Sequence, residues 1–301
     1  MLKMTNFIDI IVEPLQFEFM RNALIIIIFL GVLCAVTGSY LIVQRMGLLG
    51  DVIAHAVLPG LAIAFYLGID IFLGAFISGI FSTLIISWIK EESKIKIDVA
   101  MALVFSGFLA LGIMLITLLK SRIDLHSFLF GDILVVTIND VFRTLIITFF
   151  VLIFIKLFYK ELLFYTFNPL GAQAVGLPVK WLNLMLISAI TLTIIASMQA
   201  VGVVLVVSLL IAPSITAYLL VKELHQMMIL GGFFGSISGV IGIYLSYYLN
   251  VPSGASIVLV ASILFFFALL FSPHQGILTR PEMLYKIRHI FNKEIKKGKF
   301  D

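Results

Sequence analysis

Charge is scarce in this chain of 301 residues: Asp, Glu, Lys and Arg together make up 12%, against about 25% in a soluble globular protein, while 62% of the residues are hydrophobic. A soluble fold is excluded, because the apolar residues fall in blocks longer than soluble cores use. Strict alternation of apolar and polar positions, the mark of a transmembrane barrel, is missing too, which leaves spanning helices. Cysteine is almost absent, and the lone Cys34 has no intrachain partner for a disulfide. No G-x-x-x-x-G-K-[ST] is present to cradle ATP phosphates, and no H-E-x-x-H to hold a catalytic zinc. A net charge of +4 comes with no nucleic-acid-binding motif, so nucleic acid is not an expected partner. The first twenty residues carry Asp9, Glu13, Pro14 and Glu18 and lack the basic-then-apolar layout of a cleavable signal.

What is present is nine apolar blocks, at about 22–43, 52–67, 71–89, 99–119, 133–155, 181–200, 202–221, 227–249 and 255–272. The expected fold is an all-α polytopic bundle of eight or nine spans. Block two, which ends before Gly68-Ile69-Asp70, and blocks six and seven, which meet at Gln199-Ala200-Val201-Gly202, are each readable as broken or re-entrant helices. Arg45, then Lys90, Lys94 and Lys96, then Lys156, Lys160 and Lys180, then Lys222, mark one set of loops as cytoplasmic. Nine spans satisfy that alternation, although Lys120 and Arg122 fall on the opposite side. Residues 1–279 read as one transmembrane domain. Residues 280–301, with Arg280, Lys286, Arg288, Lys293, Lys296, Lys297 and Lys299, read as a basic cytoplasmic tail suited to anionic membrane lipid. Gly231, Gly235 and Gly239 recur every four residues and predict a close helix contact within the bundle.

Against so apolar a background the ionisable exceptions stand out. Asp51 and His55 are spaced i, i+4 on one helical face, just before Pro59-Gly60. A carboxylate at membrane depth costs a few kcal/mol and calls for a partner. An Asp oxygen beside a His nitrogen suits Mn, Fe or Zn better than Mg or Ca, and two donors need a second pair, supplied across a two-fold axis, to complete a shell. The alternative is structural: Asp51 caps its helix while His55 donates to a carbonyl. Asp140 and Arg143, at i, i+3, are expected to neutralise each other. Asp124 and His126 lie in a polar segment between spans and read as solvated loop residues or as a weak entry site for a cation. His225, His274 and His289 read as surface residues. Between Asn168-Pro169 and Gly176, the stretch Ala172 to Val175 has room for one helical turn, a docking knob for a cytoplasmic partner.

Several of these stretches together resemble a known family. Gln44-Arg45-Met46 leads into Gly50-Asp51 and then His55-Ala56-Val57-Leu58-Pro59-Gly60. Ser127-Phe128-Leu129-Phe130-Gly131-Asp132, the loop holding Ala172, Ala174 and Gly176, and the run from Gly202 to Pro213 come next in order. The pattern, over about residues 15–275, is similar to the membrane permeases of bacterial ABC importers for manganese, zinc and iron(II), most like the manganese branch. The resemblance implies a homodimeric, multi-pass subunit of the bacterial cytoplasmic membrane. It implies a separate ATP-binding subunit and an extracytoplasmic metal-binding protein as partners, no resident cofactor and no catalytic residues. It implies that Asp51 and His55 line the metal path, with Asp124 and His126 toward its entrance. The ATPase would dock on Asn168, Pro169, Ala172, Ala174 and Gly176. Two positions depart from the family pattern: Asn168, where many relatives have an acid, and Ala54, where they often have Ser. A stand-alone secondary transporter and an intramembrane hydrolase are the readings from other classes, and the missing second acid or nucleophile near Asp51 speaks against the second.

Overall fold

The computed structural model describes residues 12–119, 131, 133–273, 276 and 278. Among them every long element is a helix: α1 (Glu18–Val43), α2 (Leu49–Ala56), α3 (Leu58–Leu67), α4 (Ile71–Glu92), α5 (Ile97–Leu118), α6 (Ile138–Leu157), α7 (Tyr159–Phe167), α8 (Pro169–Ala174), α9 (Val179–Val201), α10 (Val203–Leu220), α11 (Leu224–Leu249) and α12 (Ser253–Phe271). Among the described residues nine segments are long and apolar enough to cross a membrane, α2 and α3 jointly making one of them. They coincide with the nine apolar blocks, each of which has the length for about one bilayer. The basic tail lies outside the described residues.

The bundle has a centre and a rim. In α1, 72% of the spanning window is buried in protein, whereas α12 buries 17% and α5 and α6 each 28%. The rim helices present side chains such as Leu103, Phe142, Phe150 and Phe266 outward, which suits lipid contact and explains why they are apolar all round. At the centre the glycine repeat packs α11 on α1. A methyl group at Gly235 would come within 2.6 Å of the Gly31 carbonyl oxygen, and Gly231 faces Ala35. Hydroxyls then cross the seam: Ser236 Oγ donates to Ile28 O at 3.2 Å, and from α10 Ser214 Oγ donates to Ala35 O at 3.1 Å. Close backbones and interhelical hydroxyl bonds are how helices associate when lipid tails compete for apolar contact. The glycines therefore serve the interior of one chain, in keeping with their spacing.

Two breaks interrupt the helical pattern near the centre. The second span is broken at Val57, where Pro59 enters the first turn of α3 and withholds an N–H. Beside the break, Ser78 Oγ of α4 donates to Ala56 O at 2.7 Å, adding a bond to the backbone there. Between α9 and α10 the chain turns at Gly202 alone (φ 83°, ψ 162°), a conformation open essentially to glycine. Blocks six and seven are thus two full spans joined by one residue, and block two is the discontinuous one.

Candidate metal site

Helix α2 holds Asp51 in its first turn and His55 in its last. Its buried residues, Leu49, Gly50, Val52, Ile53, Ala54 and Ala56, fix it in the bundle, and Gly50 rests against Leu210 of α10. Asp51 and His55 occupy the remaining face. The nearest approach, His55 Nε2 to Asp51 Oδ1, is 3.6 Å, with the His55 side chain 17% exposed and that of Asp51 44%. This is longer than a direct hydrogen bond. A cation bound to both atoms at about 2.0–2.2 Å spans donor separations of about 3 to 4 Å, so the gap fits a bridging transition metal.

The purely structural alternative fares poorly on the same geometry. Leu48 occupies the cap position and no side chain caps α2, so Asp51 is not spent there. Among the described residues His55 Nδ1 is buried and finds no hydrogen-bond partner, so none of their carbonyls anchors the ring through that atom. An imidazole that ligates a metal through one nitrogen normally secures the other with a hydrogen bond, and the described residues supply none to Nδ1. Phe105 of α5 stands edge-on to the His55 ring, 5.1 Å between centroids, and walls one side. Among the described residues no group of three or more His, Cys, Asp or Glu gathers to hold a metal. Asp51 and His55 are two donors short of even a four-ligand shell. Ala54 is wholly buried, so the departure from Ser at that position does not remove an exposed oxygen beside the pair.

The other expected site residues are scattered. Asp124 and His126 lie outside the described residues. From the Ser127–Asp132 motif that follows them Gly131 is described: it has φ +54° and its backbone lies against Val201 and Gly202, so that a methyl group there would meet Gly202 N at 2.5 Å. Two motifs far apart in sequence therefore meet at the α9–α10 turn. Asp140 and Arg143 do not pair. Asp140 sits at the third position of α6 and is taken by the capping box, Oδ2 accepting from Thr137 N at 3.0 Å and Thr137 Oγ1 at 2.6 Å. Arg143 instead reaches across to Asp70 at 3.7 Å and lies over the Phe72 ring, 4.3 Å from its centroid. Both charges stand near the end of the span, closer to its mouth than a block starting at 133 implies. His225 is on the surface beside Glu223, at 3.3 Å, as expected, while His274 and His289 lie outside the described residues.

The loop expected to face the cytoplasm does form a short helix, displaced from the expected stretch. α8 runs Pro169–Ala174, with Asn168 Oδ1 accepting from Gly171 N at 2.9 Å. Pro at the first position behind an Asn cap is a standard helix start, a signal that outweighs the Ala172–Val175 pattern. Ala172 anchors α8 inward, Leu170 and Val175 are exposed, and Gly176 (φ +86°) ends the turn. Gln44 Nε2, in the turn that leads to α2, donates to Thr166 Oγ1 of α7 at 3.2 Å, so the turn before the Asp51–His55 helix is tied to the helix leading into α8.

Comparison with known proteins agrees with the motifs. Residues 16–272 match the ABC 3 transport family. The manganese transport system membrane protein MntC of Listeria monocytogenes is 46% identical over 264 residues, 88% of this chain and 94% of that protein. The chelated iron transport system membrane protein YfeD of Yersinia pestis is 38% identical over 269 residues, 89% and 91% of the two chains. Among solved structures, PsaBC from Streptococcus pneumoniae in complex with Fab superposes with a TM-score of 0.81 at 41% identity, covering 91% of this chain and 99% of that one. With nine apolar spans among its described residues and one family matched over residues 16–272, the chain belongs to the ABC 3 transport family.

Proposed function

We propose that this chain is the permease of an ATP-driven importer of divalent transition metals in the bacterial cytoplasmic membrane, with Mn(II) as first cargo. It works as a homodimer with two copies of a separate ATPase and is fed by an extracytoplasmic metal-binding protein. The observation that carries this reading is the Asp51–His55 pair: two donors on one face at bridging distance, part-exposed, with His55 Nδ1 left unpartnered. A second copy across a two-fold axis supplies the missing carboxylate and imidazole. Manganese comes first because the Listeria relative is named for it, and Fe(II) second because the Yersinia relative is named for iron. Zn(II) is the third candidate; intrinsic affinity favours Zn over Mn, so selectivity for Mn needs coordination geometry rather than binding strength.

Movement is driven from the cytoplasmic side. The loop Asn168, Pro169, Ala172, Ala174 and Gly176 is the ATPase dock, with Leu170 and Val175 as its apolar contact. Asn168 serves as the cap and needs no acid for that role, since Asn and Asp cap equally well. Asp124 and His126 are assigned to the entrance. The chain itself carries no hydrolytic step.

Proteoliposomes test this reading. With the ATPase subunit and ATP, Mn(II) should accumulate, and the His55→Ala variant should not accumulate it. Uptake by the chain alone down an ion gradient, or unchanged uptake of Mn(II), Fe(II) and Zn(II) by His55→Ala, would overturn it.

A further inference from the structure

Apart from the Asp51–His55 pair, a cavity of about 180 Å³ opens at the Lys-rich end of the bundle, between the α1–α2 turn, α4, α7 and α9. Two cations line it, Lys90 from the end of α4 and Lys180 from the start of α9, and among the described residues no Asp or Glu does. Neither lysine has an ion pair among the described residues. The neutral lining is mixed: Gln44, whose amide nitrogen is spent on Thr166, keeps a carbonyl oxygen, while the Asn183 amide offers a donor. Tyr165 OH donates to Asn183 Oδ1 at 2.8 Å, which uses the amide's acceptor and leaves its nitrogen to donate. Lys90, Lys180, Asn183 and Ser87 line one concavity with no carboxylate among its described lining, a set of residues whose donors suit an oxyanion. Trp88 and Trp181, each 64% exposed and each within two residues of a lysine, set the cavity at headgroup depth, where tryptophan concentrates.

We propose that this cavity is a phosphate seat: it holds a phosphate group, free or carried on a lipid headgroup, between Lys90, Lys180 and the Asn183 amide. Its position gives occupancy a consequence. Pro169, the first residue of α8, and Leu49, two residues before Asp51, both line it, so a bound phosphate braces the docking helix against the helix of the metal pair. That consequence rests on the proposed function; the binding does not, and it is measured without transport.

The full-length chain, with whatever subunits copurify, is placed in phosphatidylcholine nanodiscs and titrated with inorganic phosphate by calorimetry. It is also placed in nanodiscs containing phosphatidylglycerol and examined by native mass spectrometry for retained lipid. Saturable phosphate binding in the first identifies the free ion, and selective retention of phosphatidylglycerol in the second identifies the lipid. In either case the Lys90→Gln/Lys180→Gln variant should bind about tenfold more weakly or worse. Asn183→Asp, which adds a carboxylate to the seat, should lose binding too on an independent background. A melting temperature like that of wild type marks each variant as folded. The control Lys156→Gln/Lys222→Gln, outside the cavity, should bind as wild type does. Equal binding by wild type and the Lys90/Lys180 variant, no binding of either probe to wild type, or equal loss in the control overturns the proposal.

Discussion

The α1–α11 seam and the α2–α3 span are both helical and both central, yet they are built on opposite terms. At the seam, Gly31 and Gly235 bring two backbones into contact, and the Ser236 hydroxyl that crosses it is spent on the Ile28 carbonyl. The α2–α3 span is interrupted at Val57, carries a part-exposed carboxylate, and keeps a buried imidazole nitrogen without a partner among the described residues. The difference separates a scaffold from a site. Close packing stabilises a fixed geometry, whereas unmet polar groups are tolerated in an apolar bundle where a ligand meets them. Substitutions on the two sides should therefore fail in different ways.

The largest expected effect is on the site. Asp51→Ala should lower Mn(II) uptake by about a hundredfold or more, since even indirect support of a metal ligand is worth about 10–100-fold, while helix content by circular dichroism stays at the wild-type level. On the scaffold, Gly235→Val pushes a side chain into the Gly31 backbone and should destabilise the fold by about 1–3 kcal/mol, read as a lower melting temperature in detergent. The protein that remains folded should still bind metal. A variant that unfolds without losing stability-corrected uptake, set beside one that stops uptake without unfolding, is the pattern that keeps the two regions distinct. If Asp51→Ala unfolds the chain, the contrast collapses.

Smaller effects sharpen the border between them. Ser78→Ala removes the bond to Ala56 O beside the α2–α3 break and should cost about 1 kcal/mol. It should also alter uptake more than Gly235→Val does at equal stability, because the break sits directly behind His55. Arg143→Met should change the melting temperature least, by less than about 1 kcal/mol equivalent, because its pairing with Asp70 is largely exposed.

Much of this organisation is legible in the sequence, for stated physical reasons. The spans are legible because a bilayer demands about twenty apolar residues each, and the Asp51–His55 pair because helical spacing alone places i and i+4 together. Pro59 signals the break, and Gly231, Gly235 and Gly239 signal a close contact. What stays hidden depends on neighbours distant in the chain. Phe105 beside His55 and Gly131 against Gly202 arise from tertiary packing that no local pattern encodes. The Asp140–Arg143 expectation fails for a local reason: a carboxylate at the third position behind a Thr is better used in the cap, which leaves Arg143 to find Asp70 and Phe72. The start of α8 is also local, in Asn168-Pro169, and is readable there.

The central claim is that Asp51 and His55 hold the transported cation. Electron spin-echo spectroscopy of Mn(II) bound to the purified permease in nanodiscs tests it most directly, because it detects nitrogen bonded to the metal. The wild type should show an imidazole nitrogen coupling that disappears in His55→Ala while the protein remains folded; bound Mn(II) with no nitrogen coupling, or a coupling that survives His55→Ala, would exclude His55 as a ligand.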